Sequence, residues 1–231
     1  MDWGKKGMIA CPICECQTTI PWVHPKRKTV YHQCHQCEAI FMDPKEYPSK
    51  EIELKKYLEH ENDITNEGYV NFLENFIDAA VHPYLQSGSI LDFGSGPNPV
   101  LSVLLKRRGY HVAIYDPFFH RDMDISLKYD MITATEVIEH FHNPIVSFKE
   151  MIDMLKPEGY LSIMTLFHHN DMDHFKDWFY QRDPTHVIFY RPKTLSFIAD
   201  KLELILIEHN DYRYAVFQKR TKWGALWIKW L

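Results

Sequence analysis

Four cysteines and one glycine-rich turn are the residues of this sequence best spaced for chemistry. Cys11-Pro-Ile-Cys14 and Cys34-His-Gln-Cys37 are two Cys-x-x-Cys pairs with nineteen residues between them. Each pair is a tight turn presenting two thiolates, and two such turns brought together surround one tetrahedral zinc ion. Cys11, Cys14, Cys34 and Cys37 are therefore the expected ligands, with Cys16 left over and His24, His32 and His35 as substitutes. Four sulfur ligands leave no coordination position open, so the ion's expected part is structural. So short a segment has little core, and its folding is expected to depend on the metal.

The turn is "ILDFGSGPNPV", residues 90–100. An apolar run ends in Asp92, then Gly94, Ser95 and Gly96 follow before a helical stretch begins. Missing side chains at a strand-to-helix turn let a nucleotide-like ligand approach the backbone closely. Asp116 ends the next apolar run, 24 residues after Asp92. A carboxylate in that place accepts hydrogen bonds from ribose hydroxyls. A dinucleotide site keeps a third glycine, whereas here Asn98 and Pro99 fill that place. Pro97 and Pro99 fix φ and remove two amide donors, which leaves the amides of Gly94, Ser95 and Gly96 for the ligand.

Positioning these groups requires a particular order of elements. "TTIPWV" and "KTVYHQ" read as two strands joined by "HPKRK". "FMDPKEYPS" (41–49) is a proline-rich linker, and the charged stretch 50–63 reads as a helix. From 64 to 85, Tyr69, Leu73, Phe76, Ile77 and Ala80 recur at helical spacing. Tyr69 belongs to a core stripe or faces a cofactor, and the stripe is the plainer reading. Short apolar runs then alternate with helical stretches, ending in two runs, "ELILIEH" and "YRYAVFQKR", that form a hairpin. Such alternation implies an α/β, Rossmann-like, mainly parallel sheet with an antiparallel terminal hairpin strand. The expected organisation is a small β module at 1–45, a linker and helix at 46–64, the α/β domain at 65–220, and a tail at 221–231.

Residues 8–43 resemble a zinc ribbon, or rubredoxin-like knuckle. Over about residues 65–220 the sequence resembles the class I S-adenosylmethionine-dependent methyltransferases. The likeness is carried by "ILDFGSG", "YDP" at 115–117, "YDMITATEVIEHFHNP" at 129–144, "MLKPEGYLSIMT" at 154–165 and the terminal hairpin. It implies S-adenosylmethionine as the cofactor, with the turn of Gly94, Ser95 and Gly96 under its methionine part. It also implies Asp116 on the ribose, Asp92 organising the loop, Pro117 and Thr135 among the cofactor-binding residues, and Glu136 lining the methyl-transfer pocket. The sequence departs from the family in one place. Only thirteen residues separate Asp116 from Asp130, so the third strand and its helix are abbreviated or lost. The adenine-contacting acid is then sought in Asp122 or Asp124.

Methyl transfer needs in-line positioning and often a base. Acceptor groups are expected in "FHHNDMDHFKDWFYQRDPTHVIFYRP" (167–192), an aromatic stretch holding four histidines. His186 is the first choice, with Tyr190, His168 and Arg182 behind it, and Glu136 is a further catalytic candidate. The alternative for His186 is a buried hydrogen bond that ties the loop down. His140 is read as structural, and "HHNDMDH" lacks the spacing of a known metal motif.

Composition bounds the rest. The net charge of −5 argues against a whole-molecule nucleic-acid footprint. No apolar stretch approaches the ~20 residues of a membrane span, and the first residues lack a signal-peptide core. Clustered cysteines are those of a reducing, cytoplasmic setting. The leading expectation is a methyltransferase acting on a small molecule. The alternatives are an RNA methyltransferase gripping ribosomal or transfer RNA through Lys26, Arg27 and Lys28 beside Trp22 and Tyr31, and a non-catalytic cofactor-binding scaffold. The tail "RTKWGALWIKWL" packs back on its own domain, on a partner, or at a membrane interface.

Overall fold

A computed structural model describes residues 9–17, 19–59 and 62–221. All but the first residue of the proposed tail at 221–231 lies outside the described residues. The chain begins with strands β1 (Thr19–Val23), β2 (Val30–Cys34) and β3 (Ile40–Met42). β1 and β2 form an antiparallel hairpin, with Thr19 opposite Cys34 and Val23 opposite Val30. His24 closes its turn, Nδ1 accepting the N–H groups of Lys26 and Arg27. The helix expected over 50–63 is shorter, α1 (Lys50–Leu58), and its one buried residue is Glu53. α2 (Glu67–Ala80) starts where Asn66 accepts the Tyr69 N–H, and it buries Leu73, Phe76, Ile77 and Ala80.

The α/β part follows as β4 (Ser89–Phe93), α3 (Val100–Arg107), β5 (His111–Tyr115), β6 (Tyr129–Thr135), α4 (Pro144–Asp153) and β7 (Leu155–Met164). It ends with α5 (Met172–Asp177), β8 (Ile188–Phe189), α6 (Pro192–Lys201), β9 (Leu204–His209) and β10 (Tyr214–Lys219). The main sheet runs β5-β4-β6-β7-β10-β9. Its first four strands are parallel, and β10 is antiparallel to both β7 and β9. The turn between β9 and β10 is built by Asn210, whose Oδ1 accepts from the N–H groups of Tyr212, Arg213 and Tyr214. Residues 116–128 hold no helix and no strand, so the abbreviated third unit is absent altogether and β5 is an edge. α4 ends at Asp153, and β7 begins two residues later at Leu155 and bulges, with Glu158 at φ 60°.

The first three strands do not stand apart. β3 pairs antiparallel with β8, Ile40 opposite Phe189, so the small sheet has the order β1-β2-β3-β8. Its interior continues the larger core: Cys11, Ile13, Tyr31 and Phe41 share one buried cluster with Phe148, Phe189 and Leu195. Tyr31, Phe175 and Phe189 meet edge to face at 5.0–6.1 Å, contacts worth about 1 kcal/mol each beyond their buried area. Among the described residues no helix is long and apolar enough to cross a membrane.

A candidate active site at the carboxyl ends of the strands

A cleft of about 1010 Å³ opens at the carboxyl ends of β4, β5 and β6, roofed by α1 and by the segment after β7. β4 delivers Asp92 to its floor and turns sharply at Gly94 (φ 76°) and Gly96 (φ 66°). A side chain at Gly94 would collide with that of Val137, while one at Gly96 would meet nothing within 4 Å. The three amides expected to face a ligand are taken by the chain itself. Gly94 and Ser95 donate to the Tyr115 carbonyl at 2.7 and 3.1 Å, and Gly96 donates to Asp116 Oδ2 at 3.0 Å. The turn folds back on its neighbouring strand, so what it offers a ligand is room and the Ser95 hydroxyl. Ser95 Oγ is shielded from water and has no partner among the described residues.

Asp116 is buried and held by main-chain donors. Oδ1 accepts from the Phe118 and Phe119 N–H groups at 2.8 and 3.1 Å, and Oδ2 from Gly96. A carboxylate accepts about four hydrogen bonds, so Oδ2 keeps one position for a ligand hydroxyl. Asp92 is fully buried and accepts from Ser102 Oγ at 2.9 Å. Burial pushes its carboxyl up to about 6 against that hydrogen bond. The cleft wall carries six carboxylates (Glu53, Asp92, Asp116, Glu136, Glu150, Asp183) against Lys50 and Arg121. Such an excess of one sign draws in a cationic ligand.

The other end of the cleft is built by the residues after β6 and the segment after β7. Glu136 sits at φ 54°, an uncommon conformation held by its N–H donating to the Met164 carbonyl at 2.7 Å. The Tyr180 hydroxyl lies 3.0 Å from Glu136 Oε2 and also contacts Glu139 Oε1. Burial, then the neighbouring Glu136 charge, push the Glu139 carboxyl up to about 8. His140 and His186 each turn Nδ1 to a main-chain carbonyl, that of Thr185 at 2.9 Å and that of Tyr180 at 2.7 Å. Their rings stand edge to face, 4.8 Å between centroids.

The cleft gathers Asp92, Gly94, Ser95, Gly96, Asp116, Pro117, Thr135, Glu136, His140 and His186. Other expected residues lie outside it. Tyr190 is fully buried and donates to the Ile138 carbonyl at 2.8 Å. His168 contacts the Glu38 carbonyl at 2.9 Å, and burial pushes its pKa down to about 3. Both tie the segment after β7 to its supports. Arg182 is exposed and donates to the Asp177 carbonyl. Asp122 is exposed, and Asp124 spends its carboxylate on the Ser126 N–H and hydroxyl. Tyr69, read as core, lines the cleft. Tyr57, Phe118, Phe119, Glu139 and Tyr180 were not singled out in the sequence: Tyr57 sits on a charged helix with little apolar pattern, and the other four in segments whose roles depend on tertiary contacts.

The four expected metal ligands converge. Cys11 and Cys37 sulfurs are 3.5 Å apart, as are those of Cys14 and Cys34, and all four lie within 4.8 Å of one another. Tetrahedral zinc with 2.3 Å bonds separates its sulfurs by about 3.8 Å, so the donor set fits. The substitutes are engaged elsewhere, His24 on the Lys176 carbonyl and His32 on Asp43.

Residues 67–209 match a family described as "Methyltransferase domain". No curated protein sequence matches the chain. Among solved structures, the magnesium protoporphyrin IX methyltransferase of Synechocystis PCC 6803, crystallised with bound SAH, is 12% identical with a TM-score of 0.50. The match covers 73% of this chain and 93% of that one. An O-methyltransferase family protein of Burkholderia thailandensis is 12% identical over 68% of this chain, with a TM-score of 0.45, and the match spans only 56% of its length. A SAM-dependent methyltransferase of Thermotoga maritima is 16% identical over 67% of this chain and 98% of its own, with a TM-score of 0.43. At 12% identity the likeness to the first of these bears on the fold alone.

Proposed function

This chain belongs to the methyltransferase-domain family, and on that premise we propose that it moves a methyl group from S-adenosylmethionine to a small-molecule acceptor. The observation that carries the reading is Asp116: a carboxylate fixed by three main-chain N–H groups, opening on the same cleft as Ser95 and Gly96. The open space at Gly96 and the unpartnered Ser95 hydroxyl fit the donor's polar end. S-adenosylmethionine, when bound, supplies an activated methyl on a positively charged sulfur.

The chain's residues then divide the work. Asp116 Oδ2 takes a ribose hydroxyl, and Asp92 with Ser102 holds the turn in place. Phe118 and Phe119 offer the adenine an apolar seat where the third strand is missing. The carboxylates of the wall favour a cation and exclude competing anions. Glu136 stands where a proton from the acceptor is collected. The four cysteines hold one zinc, whose part is to stiffen the small sheet that carries β8. The cleft has room for the donor and a modest acceptor together. A radiolabelled-methyl assay on extract fractions, separating small molecules, RNA and protein, tests the reading. Label in the small-molecule fraction supports it, and label confined to RNA or protein replaces its acceptor class.

A further inference from the structure

We propose that the protein forms a twofold dimer in which β5 pairs antiparallel with β5 of a second copy, joining the two main sheets edge to edge. β5 ends the main sheet because residues 116–128 supply no further strand. In a parallel ladder, alternate residues turn both main-chain groups toward the same neighbour. The His111 N–H donates to the Gly88 carbonyl, and the Tyr115 carbonyl accepts from the Gly94 N–H. His111, Ala113 and Tyr115 therefore face β4, and Val112 and Ile114 turn their N–H and C=O groups outward.

An open edge is a template for another strand, and proteins blunt it with proline, charge, bulges or shortness. Among the described residues the other sheet edges carry such devices. β1 is interrupted by Pro21, β8 has only two residues, and β9 is bulged at Ile207. β5 reads His-Val-Ala-Ile-Tyr, with no proline, lysine, acid or bulge. Its residues favour strands, and Val112 to Tyr115 are only half-buried.

The edge is complementary to itself. With Ala113 on the twofold axis, Val112 pairs with the partner's Ile114 and Ile114 with the partner's Val112, so every outward group on both chains is used. Moving the axis to Val112 or to Ile114 sets these groups against Tyr110 or Asp116. Their N–H groups are already given to the Leu105 and His120 carbonyls. Charge agrees with the antiparallel direction. Exposed Lys106 and Arg107 end α3 just before β5, and exposed Asp122 and Asp124 follow it. Arg121 and Lys128, in the same segment, are drawn to the Pro117 and Asp153 carbonyls. Pairing therefore brings the cationic end of one edge to the acidic end of the other. A strand edge alone is small for a stable dimer. Val103 on α3, which packs on β5, and Ile125 and Leu127 beyond β5 are exposed apolar side chains that widen the contact.

Sedimentation equilibrium of the full chain tests the proposal, and a dimer is expected to predominate by about 100 µM. Cross-linking tests its register. Facing residues at a non-hydrogen-bonded pair have Cα atoms about 4.5 Å apart, within disulfide reach, so Ala113→Cys should join two chains under mild oxidation. His111→Cys should not, because its two copies stand roughly 14 Å apart in this register. Wild type oxidised in parallel accounts for the native cysteines. Ile114→Pro removes an outward N–H and should weaken the dimer at least about tenfold; if that variant does not fold, the cross-linking pair decides. A wild type still monomeric at about 100 µM, a folded Ile114→Pro variant with an unchanged dimer, or equal cross-linking at His111→Cys and Ala113→Cys overturns the proposal.

Discussion

Ile40, three residues past Cys37, pairs across the small sheet with Phe189, three residues past His186. The cysteine module thereby shares hydrogen bonds with the segment that walls the acceptor end. Thr194 reinforces the junction by donating its hydroxyl to the Cys37 carbonyl at 2.8 Å, as does Glu38, which pairs with Arg191 and Lys193.

Removing the metal is therefore expected to disturb more than the module itself. Release with a thiol reagent should free about one zinc per chain. The near-ultraviolet dichroism should change with it, because Trp22 packs on Phe175 and Trp178 on Phe189. Protein purified without zinc, or zinc lost with an unaltered aromatic signal, contradicts this coupling.

The two glycines of the turn should differ in their tolerance of substitution. Both sit at positive φ, where an alanine costs roughly 1–2 kcal/mol. Gly94→Ala also drives a methyl into Val137, whereas Gly96→Ala meets open space. Thermal denaturation should show Gly94→Ala as the more destabilised by at least about 1 kcal/mol. Equal losses would mean that Val137 yields freely.

Asp92 gives a pH dependence of defined sign. Its folded pKa of about 6 lies above the unfolded value of about 3.9. Its contribution to stability is full below the unfolded value and is lost as pH rises through about 6. Asp92→Asn cannot ionise, so relative to wild type it should gain on the order of 2 kcal/mol between pH 4 and pH 7.5. Urea denaturation at the two pH values measures this, and a pH-independent difference contradicts it.

The basic turn Lys26-Arg27-Lys28 should not confer nucleic-acid affinity. It is exposed, but it is a short patch on a chain of net charge −5. Filter binding with bulk RNA is expected to be weak at physiological salt. Submicromolar, salt-sensitive binding would favour an RNA acceptor.

What was legible in the sequence follows the range of the forces involved. The strand–helix alternation, the terminal hairpin and the buried stripe of α2 are local patterns, and the structure has each of them. The short interval between Asp116 and Asp130 marked the missing third unit. The fate of the turn's amides was not legible, because the Tyr115 carbonyl and the Asp116 carboxylate that take them come from the next strand. Nor was the meeting of Glu139, His140 and His186, which depends on β8 docking against β3. Tyr190 and His168 looked like chemistry because of their residue types, and their hydrogen bonds to main-chain carbonyls use those same polar groups as fastenings.

The central claim is tested most directly by calorimetric titration of S-adenosylmethionine into the wild type and Asp116→Ala. Losing a hydrogen bond from a charged group is worth about 1.5–3 kcal/mol, so the variant should bind at least about tenfold more weakly. A wild type that takes up no cofactor, or a variant with undiminished affinity, would contradict the account.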